Sequence, residues 1–207
     1  MSFHDDFFGE LGERPNGKAL QAAYKAYKAD CYMMNAWLKG ESPEPGTETK
    51  TMVETLEGII CGRNKTDLTL WRVCPSDEFK KWIELAAGSS FTYPAYMSTC
   101  DSKRSLHQFA KAHELVVMKI LCPAGTPMAL MEANEDGMGL EREYLLGRDT
   151  TFEVLGIGAL DNSKLEDVLG QRVTTQNAVL FQLKVVGDPE YTNDVKGFWF
   201  DPSRTDE

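Results

Sequence analysis

The sequence lacks any feature that would place the chain in a membrane or mark it for secretion. No apolar run approaches the roughly 20 residues that a helix needs to span a bilayer. The N-terminus, MSFHDDFFGELGERP, begins with acidic residues and has no basic segment leading into an apolar stretch, so it does not resemble a secretory signal peptide. We therefore expect a cytoplasmic protein that does not act at a membrane.

Basic residues are also fewer than acidic ones, with 22 Lys and Arg against 32 Asp and Glu. The formal net charge is −10 at neutral pH. Nucleic acids and anionic membranes are usually bound by clustered basic surfaces, so this balance disfavours nucleic acid as a general partner. It remains compatible with a local cationic pocket that holds one phosphorylated small molecule.

Motifs for metal binding and for disulfide pairing are missing as well. The five cysteines are odd in number, widely spaced, and include no Cys-x-x-Cys pair, which argues against a zinc site and a disulfide framework. His107 and His113 have no partner ligand at metal spacing. We expect free thiols and no bound metal.

The sequence does contain a regular succession of helical and strand patterns. With 207 residues, of which 42% are hydrophobic, a single domain with a substantial core is expected. Helical spacing of apolar residues dominates residues 1–66 and predicts helices at 18–39 and 51–61. Residues 67–187 form the predicted core of the domain, and 188–207 a tail.

Short strands prevail in the second part of the chain. The β-branched and apolar segments predict strands at 68–74, 115–121, 127–132, 144–146, 151–157 and 178–186, with a further short strand within 88–100. Intervening helices are predicted at 77–87, 102–113 and 162–169. Helices first and short strands later are typical of the α+β class.

Two carboxylates one residue apart, Glu141 and Glu143, lie at the start of one predicted strand. Because the side-chain period of a strand is two, both would lie on one face. Two like charges at neighbouring positions are tolerated on a solvated edge, or at a site where cationic chemistry compensates for them. The pair alone is compatible with either interpretation.

An ordered set of polar residues favours the second interpretation. Arg72 lies in an early strand, Ser98 and Thr99 end a mid-chain strand, and Glu141-x-Glu143 opens a late one. The segments PAGTPMALM, EREYLL and GRDTTFEVLGI surround the glutamates. Together these features resemble the mono-ADP-ribosyltransferases of the arginine–serine–glutamate class, which include binary toxins, C3-like exoenzymes and small bacteriophage transferases. The resemblance covers residues 68–187 and is most specific at 115–157.

The resemblance implies a fold with N-terminal helices and two packed, mainly antiparallel sheets around a cleft for NAD. It also implies cleavage of the nicotinamide–ribose bond of NAD, with transfer of ADP-ribose to an acceptor. Such a reaction develops positive charge on the ribose, as glycoside cleavage does, and a carboxylate held nearby stabilises that charge. Glu143 would take this role and bind the ribose 2′-hydroxyl, while Glu141 would orient the acceptor and accept its proton.

The resemblance also implies which residues hold NAD. Arg72 would bind the diphosphate through its planar, permanently charged guanidinium. Ser98 would donate a hydrogen bond to Glu143 and fix its rotamer. The remaining NAD-binding residues would be Trp71, Tyr96 beside the nicotinamide, Thr99 at the strand end, and Arg104, with Lys103, in a loop over the phosphates. Taken singly, Arg72 could equally be an ion-pair residue and Tyr96 a core aromatic.

The sequence departs from the family pattern at three places, and these bear on the target. Cys100 replaces the third residue of a Ser-Thr-Ser triplet, and Val73 follows Arg72 where relatives often have glycine. The loop before Glu141 offers Met138 and Leu140 instead of an aromatic residue that grips the target. Glutamate rather than glutamine at position 141 is the pattern associated with arginine acceptors, so arginine side chains of proteins in the producing or infected host cell are the expected acceptors.

Two alternatives remain open. The chain could bind NAD or an ADP-ribosyl group without transferring it, although two carboxylates beside an anionic ligand would not favour mere binding. It could instead modify nucleic acid, which the acidic balance disfavours.

Overall fold

The α+β class predicted from the sequence is confirmed. The structure, a computed structural model, describes residues 3–29, 31–102, 106, 110, 114–131, 143–169 and 177–203. The helices of this part of the chain are α1 Phe3–Gly12, α2 Gly17–Ala29, α3 Tyr32–Leu38, α4 Thr47–Glu57, α5 Ser76–Phe79 and α6 Asn162–Leu169. None of them is both long enough and apolar enough to cross a membrane.

The strands of the described residues are β1 Gly62–Asn64, β2 Leu68–Pro75, β3 Ser90–Tyr93, β4 Met97–Cys100, β5 Glu114–Cys122, β6 Pro127–Met131, β7 Glu143–Leu146, β8 Thr150–Leu160, β9 Asn177–Gly187 and β10 Phe198–Phe200. Every strand predicted from the sequence is present. The segment predicted as a tail contributes β10, which pairs in parallel with β1.

The strands form one continuous sheet in the order β10-β1-β6-β7-β4-β2-β5-β9-β8-β3. Apart from the parallel pairs β1/β10 and β5/β9, neighbouring strands are antiparallel. The two sheets implied by the family resemblance correspond to two five-stranded parts of this sheet. They are joined because Trp71 of β2 pairs with Cys100 of β4, the one residue pair in that ladder.

The helices predicted at 18–39, 51–61 and 77–87 differ from the observed ones, and the second of them is α4, which begins and ends four residues earlier. The predicted helix 18–39 is divided into α2 and α3, with Cys31 as the N-cap of α3. The division allows Asn35 Nδ2 on α3 to donate to the Tyr27 hydroxyl on α2, eight residues away, which one straight helix would not permit. The predicted helix 77–87 is only the short α5, because Phe79 and Trp82 turn into an aromatic cluster with Tyr93. The predicted helix 102–113 lies largely outside the described residues.

The N-terminal helices cover the β6/β7 part of the sheet. All five residues of β6 are buried, and Tyr144, Leu145 and Leu146 of β7 are fully buried. The Tyr24 hydroxyl on α2 donates to the Leu130 carbonyl oxygen at 3.3 Å, and His4 Nδ1 on α1 lies 3.0 Å from the Met131 oxygen. These contacts hold α1 and α2 against the end of β6, beside the start of β7.

Candidate active site

Three strands bring together Arg72, Ser98 and Glu143. β4 lies between β2 and β7 in the sheet, and Ser98 belongs to β4. Arg72 Nη1 on β2 donates to the Ser98 carbonyl oxygen at 2.8 Å. The Ser98 hydroxyl donates to Oε1 of Glu143, the first residue of β7. Arg72 and Glu143, which are 71 positions apart in sequence, are thus linked through Ser98 across three neighbouring strands.

Arg72 is held on its other side by Glu78. Arg72 Nη2 donates to Glu78 Oε1 at 2.8 Å, and the Tyr93 hydroxyl donates to the same oxygen at 2.9 Å. Burial alone would lower the pKa of Arg72, but the Glu78 carboxylate outweighs it and the pKa is raised. Burial likewise opposes ionisation of Glu78, yet the Arg72 charge leaves the pKa of that carboxyl below its ordinary value. Both groups are therefore charged at neutral pH.

Arg72 retains a hydrogen-bond donor that an anion could use. Its Nε is buried, and no acceptor among the described residues bonds to it. A buried, unpaired N–H is unfavourable in a folded protein. A phosphate oxygen is the kind of acceptor that a guanidinium satisfies well.

Glu143 is held through both carboxylate oxygens. Oε1 accepts the Ser98 hydroxyl, and Oε2 lies 3.4 Å from Lys28 Nζ on α2. The Glu143 side chain is 15% exposed and that of Lys28 13%, so most of the ion pair is withdrawn from water. A carboxylate in such a setting has a fixed orientation and a strong local field.

Hydrogen bonds also fix the ends of β4 and β7. Thr99 Oγ1 donates to the Tyr144 carbonyl oxygen at 2.7 Å, and the Tyr144 hydroxyl donates to Asp101 Oδ2 at 3.0 Å. In the ladder, Cys100 faces Glu143 and Thr99 faces Tyr144. Thr99 thus holds β4, which carries Ser98, against β7, which carries Glu143.

Tyr96 and Trp71 have other surroundings. Tyr96 is 1% exposed, its hydroxyl donates to the Val53 carbonyl oxygen at 3.1 Å, and its ring meets Tyr27 edge-on with centroids 5.6 Å apart. Trp71 is partly buried against a second apolar cluster that includes Cys100, and Lys119 Nζ lies 5.9 Å from the centroid of its ring. The contact of either side chain with NAD stays a prediction.

The predicted site residues Glu141 and Arg104 lie outside the described residues, as does Lys103. So do the other residues that the sequence analysis discussed, His107, His113, Met138 and Leu140. Among the residues that the structure does describe, no group of three His, Cys, Asp or Glu side chains is placed to hold a metal ion.

The sequence analysis missed Lys28, Glu78 and Tyr93. Lys28 lies within the predicted helix 18–39, where the apolar spacing gives a lysine no role in a site, and Glu78 fell within a helix predicted to be longer. The one available signal for Glu78 was its position six residues after Arg72, across the turn that ends β2.

Comparisons with solved structures give the fold a context. The structure of BECa, an ADP-ribosylating toxin of a binary enterotoxin of C. perfringens, determined with NADH, superposes with a TM-score of 0.64 over 81% of this chain at 14% identity. Plx2a, an ADP-ribosyltransferase toxin from Paenibacillus larvae, gives 0.63 over 89% at 15% identity. C3larvin, an ADP-ribosyltransferase from the same organism, gives 0.57 over 84% at 18% identity.

The chain has the fold of the ADP-ribosylating toxins. It spans 43% of the BECa chain, but 94% of Plx2a and 88% of C3larvin. No protein-family model matches the sequence, and no curated protein does. The fold therefore confirms the resemblance to ADP-ribosyltransferases that was predicted from Arg72, Ser98 and the paired glutamates.

Proposed function

We propose that the chain is a mono-ADP-ribosyltransferase that cleaves the nicotinamide–ribose bond of NAD and transfers ADP-ribose to arginine side chains of a target protein. The observation that carries the proposal is the set of hydrogen bonds from Arg72 to Ser98 and from Ser98 to Glu143. These are the residues that the family resemblance assigns to the reaction, and they meet within the matching fold.

Glu143 would stabilise the reacting ribose. Cleavage of the glycosidic bond leaves positive charge on the sugar, and a carboxylate already in place lowers the free energy of that transition state. The Ser98 hydroxyl holds Oε1 of Glu143, so little reorientation is needed when charge develops.

Arg72 would bind the diphosphate of NAD. Its two Nη atoms are already engaged by Ser98 and Glu78, which fix the plane of the guanidinium. The buried Nε is an N–H that a phosphate oxygen would satisfy. Glu78 therefore serves to orient the cation rather than to contact the substrate.

Glu141 would select the acceptor. In this proposal its carboxylate orients an incoming guanidinium and accepts its proton before that nitrogen bonds to the ribose carbon that nicotinamide leaves. The assignment depends on the family pattern, in which glutamate at this position accompanies arginine acceptors.

Incubation with labelled NAD and a cell lysate tests the proposal. Labelled macromolecules should appear with the wild-type chain and not with Glu143→Ala, and protease treatment should remove the label. Mass spectrometry of the labelled protein should locate ADP-ribose on arginine. Label that is lost to nuclease would indicate modification of nucleic acid, and the absence of any label would support a binding module.

A further inference from the structure

Lys28 is the residue through which the N-terminal helices reach the candidate active site. It lies on α2, and its Nζ is 3.4 Å from Glu143 Oε2. Ser98 binds the other oxygen of the same carboxylate. Glu143 is thus held between a strand neighbour and a helix from the opposite end of the sequence.

The position of Lys28 is set by buried contacts of its own helix. Tyr24, one helical turn earlier, donates to the Leu130 carbonyl oxygen. Met131, the next residue of β6, pairs with Glu143 across the ladder. Because residues four apart lie on the same helix face, anchoring Tyr24 at Leu130 brings Lys28 opposite Glu143.

A second contact limits rotation of α2. Tyr27 is 2% exposed, and its ring meets Tyr96 edge-on. Its hydroxyl accepts a hydrogen bond from Asn35 Nδ2 on α3 at 3.1 Å. The segment that carries Lys28 is therefore packed on both sides and presents the ammonium group from a fixed backbone.

We propose that Lys28 is a positioning residue that holds the second oxygen of Glu143 and so fixes the plane of the carboxylate towards the ribose of NAD. This inference rests on the proposed function. Exposed ion pairs contribute little, but this pair is mostly withdrawn from water, where geometry and charge act more strongly. Without Lys28, the hydrogen bond from Ser98 would be the side-chain contact that the described residues still make with the carboxylate, and the carboxylate could turn about it.

The opposite role would be inhibitory, with the Lys28 ammonium group neutralising Glu143 until NAD displaces it. The two roles predict opposite changes in the rate of NAD cleavage when Lys28 is replaced. Loss of a positioning residue lowers this rate, whereas loss of an inhibitory residue raises it.

NAD hydrolysis by purified chains separates these roles. Lys28→Gln should lower kcat on the order of tenfold, because a misplaced catalytic group loses rate, while KM for NAD changes little. Lys28→Arg, which keeps a cation at this position, should restore most of the rate. Lys18→Gln is the matched control, since Lys18 is exposed on the same helix, and it should leave kcat unchanged.

A double variant tests whether Lys28 acts through Glu143. Adding Lys28→Gln to Glu143→Gln should lower kcat no further, because residues that act as a unit are not additive. Thermal unfolding of each variant checks that it is folded. The positioning role is overturned if the Lys28→Gln chain has a wild-type or higher kcat. It is also overturned if the Lys28→Arg chain has a kcat as low as that of Lys28→Gln. A wild-type chain that cleaves no NAD under the same conditions instead overturns the proposed function on which the role depends.

Discussion

Arg72 Nη1 lies 2.8 Å from the carbonyl oxygen of Ser98, immediately beside the Trp71–Cys100 pair that joins β2 to β4. The hydrogen bond crosses the junction between the two five-stranded parts of the sheet. The candidate active site therefore lies where the two parts of the sheet share one backbone residue pair, and the Arg72 side chain adds a hydrogen bond across that junction.

Replacing Glu143 with Gln should reduce NAD cleavage by about 10²- to 10³-fold, since the carboxamide keeps the shape but loses the charge that stabilises the ribose cation. Steady-state hydrolysis of NAD measures the change. Glu166→Gln, at an exposed position of α6, should retain wild-type activity. A Glu143→Gln chain with unaltered kcat would exclude Glu143 as a catalytic residue.

Replacing Glu141 with Gln should abolish transfer to arginine but leave hydrolysis of NAD measurable, because only the acceptor needs this second carboxylate. Parallel assays with an arginine acceptor and with water alone report the two activities. Equal loss of both would contradict the division of roles between Glu141 and Glu143.

Replacing Glu78 with Gln should destabilise the fold by roughly 1–3 kcal/mol, because it leaves the buried Arg72 cation without its ionic partner. Chemical denaturation at pH 7 measures the free energy of unfolding. Glu84→Gln, at an exposed position of the same segment, should have little effect.

The pH dependence of stability gives a second readout for Glu78. Its pKa in the folded chain lies below the ordinary value of 4.5. The unfolded state therefore binds the proton more readily, and the contribution is present in full above pH 4.5 and lost as the pH falls through the lower, folded pKa. The acid-induced loss of stability should be shallower in Glu78→Gln than in wild type, and identical slopes would argue against a charged Arg72–Glu78 pair.

Cys31 should report the charge of Glu143 without any need for NAD. Burial, followed by the Glu143 carboxylate, raises the pKa of this half-buried thiol, and the remaining cysteines are buried. Since the thiolate is the reactive form, alkylation near pH 8 should be slower than for a free thiol and faster in Glu143→Gln. Peptide mapping after timed alkylation follows Cys31 directly, and an unchanged rate in the variant would show that the two groups are not electrostatically coupled.

The sequence was sufficient for the class of fold and for most strands. The apolar runs that became β5 and β9 and the alternation in β2 are local signals, and local patterns decide strand formation when both faces are covered. The order of Arg72, Ser98 and Glu143 was likewise readable, because a family pattern preserves residue type and sequence order.

Other features depend on contacts between distant segments and have no local signature. α2 and α3 share one apolar periodicity, so nothing in that pattern marked the break at Cys31. The Lys28–Glu143 pair arises only when α2 is packed against β6 and β7. The Arg72–Glu78 pair depends on how the chain turns from β2 into the short α5. The two parts of the sheet are joined by one residue pair, Trp71 and Cys100. The periodicity of apolar residues does not predict whether a single such pair forms.

The pairing of β10 with β1 has a practical consequence for anyone who shortens this chain. Phe200 stacks on Phe3, with ring centroids 5.5 Å apart, so the last strand and the first helix close over one another. Ending the polypeptide at residue 187 would remove β10 and leave one edge of β1 unpaired, and an exposed strand edge favours aggregation. Recombinant versions meant for crystallography should therefore extend through residue 203.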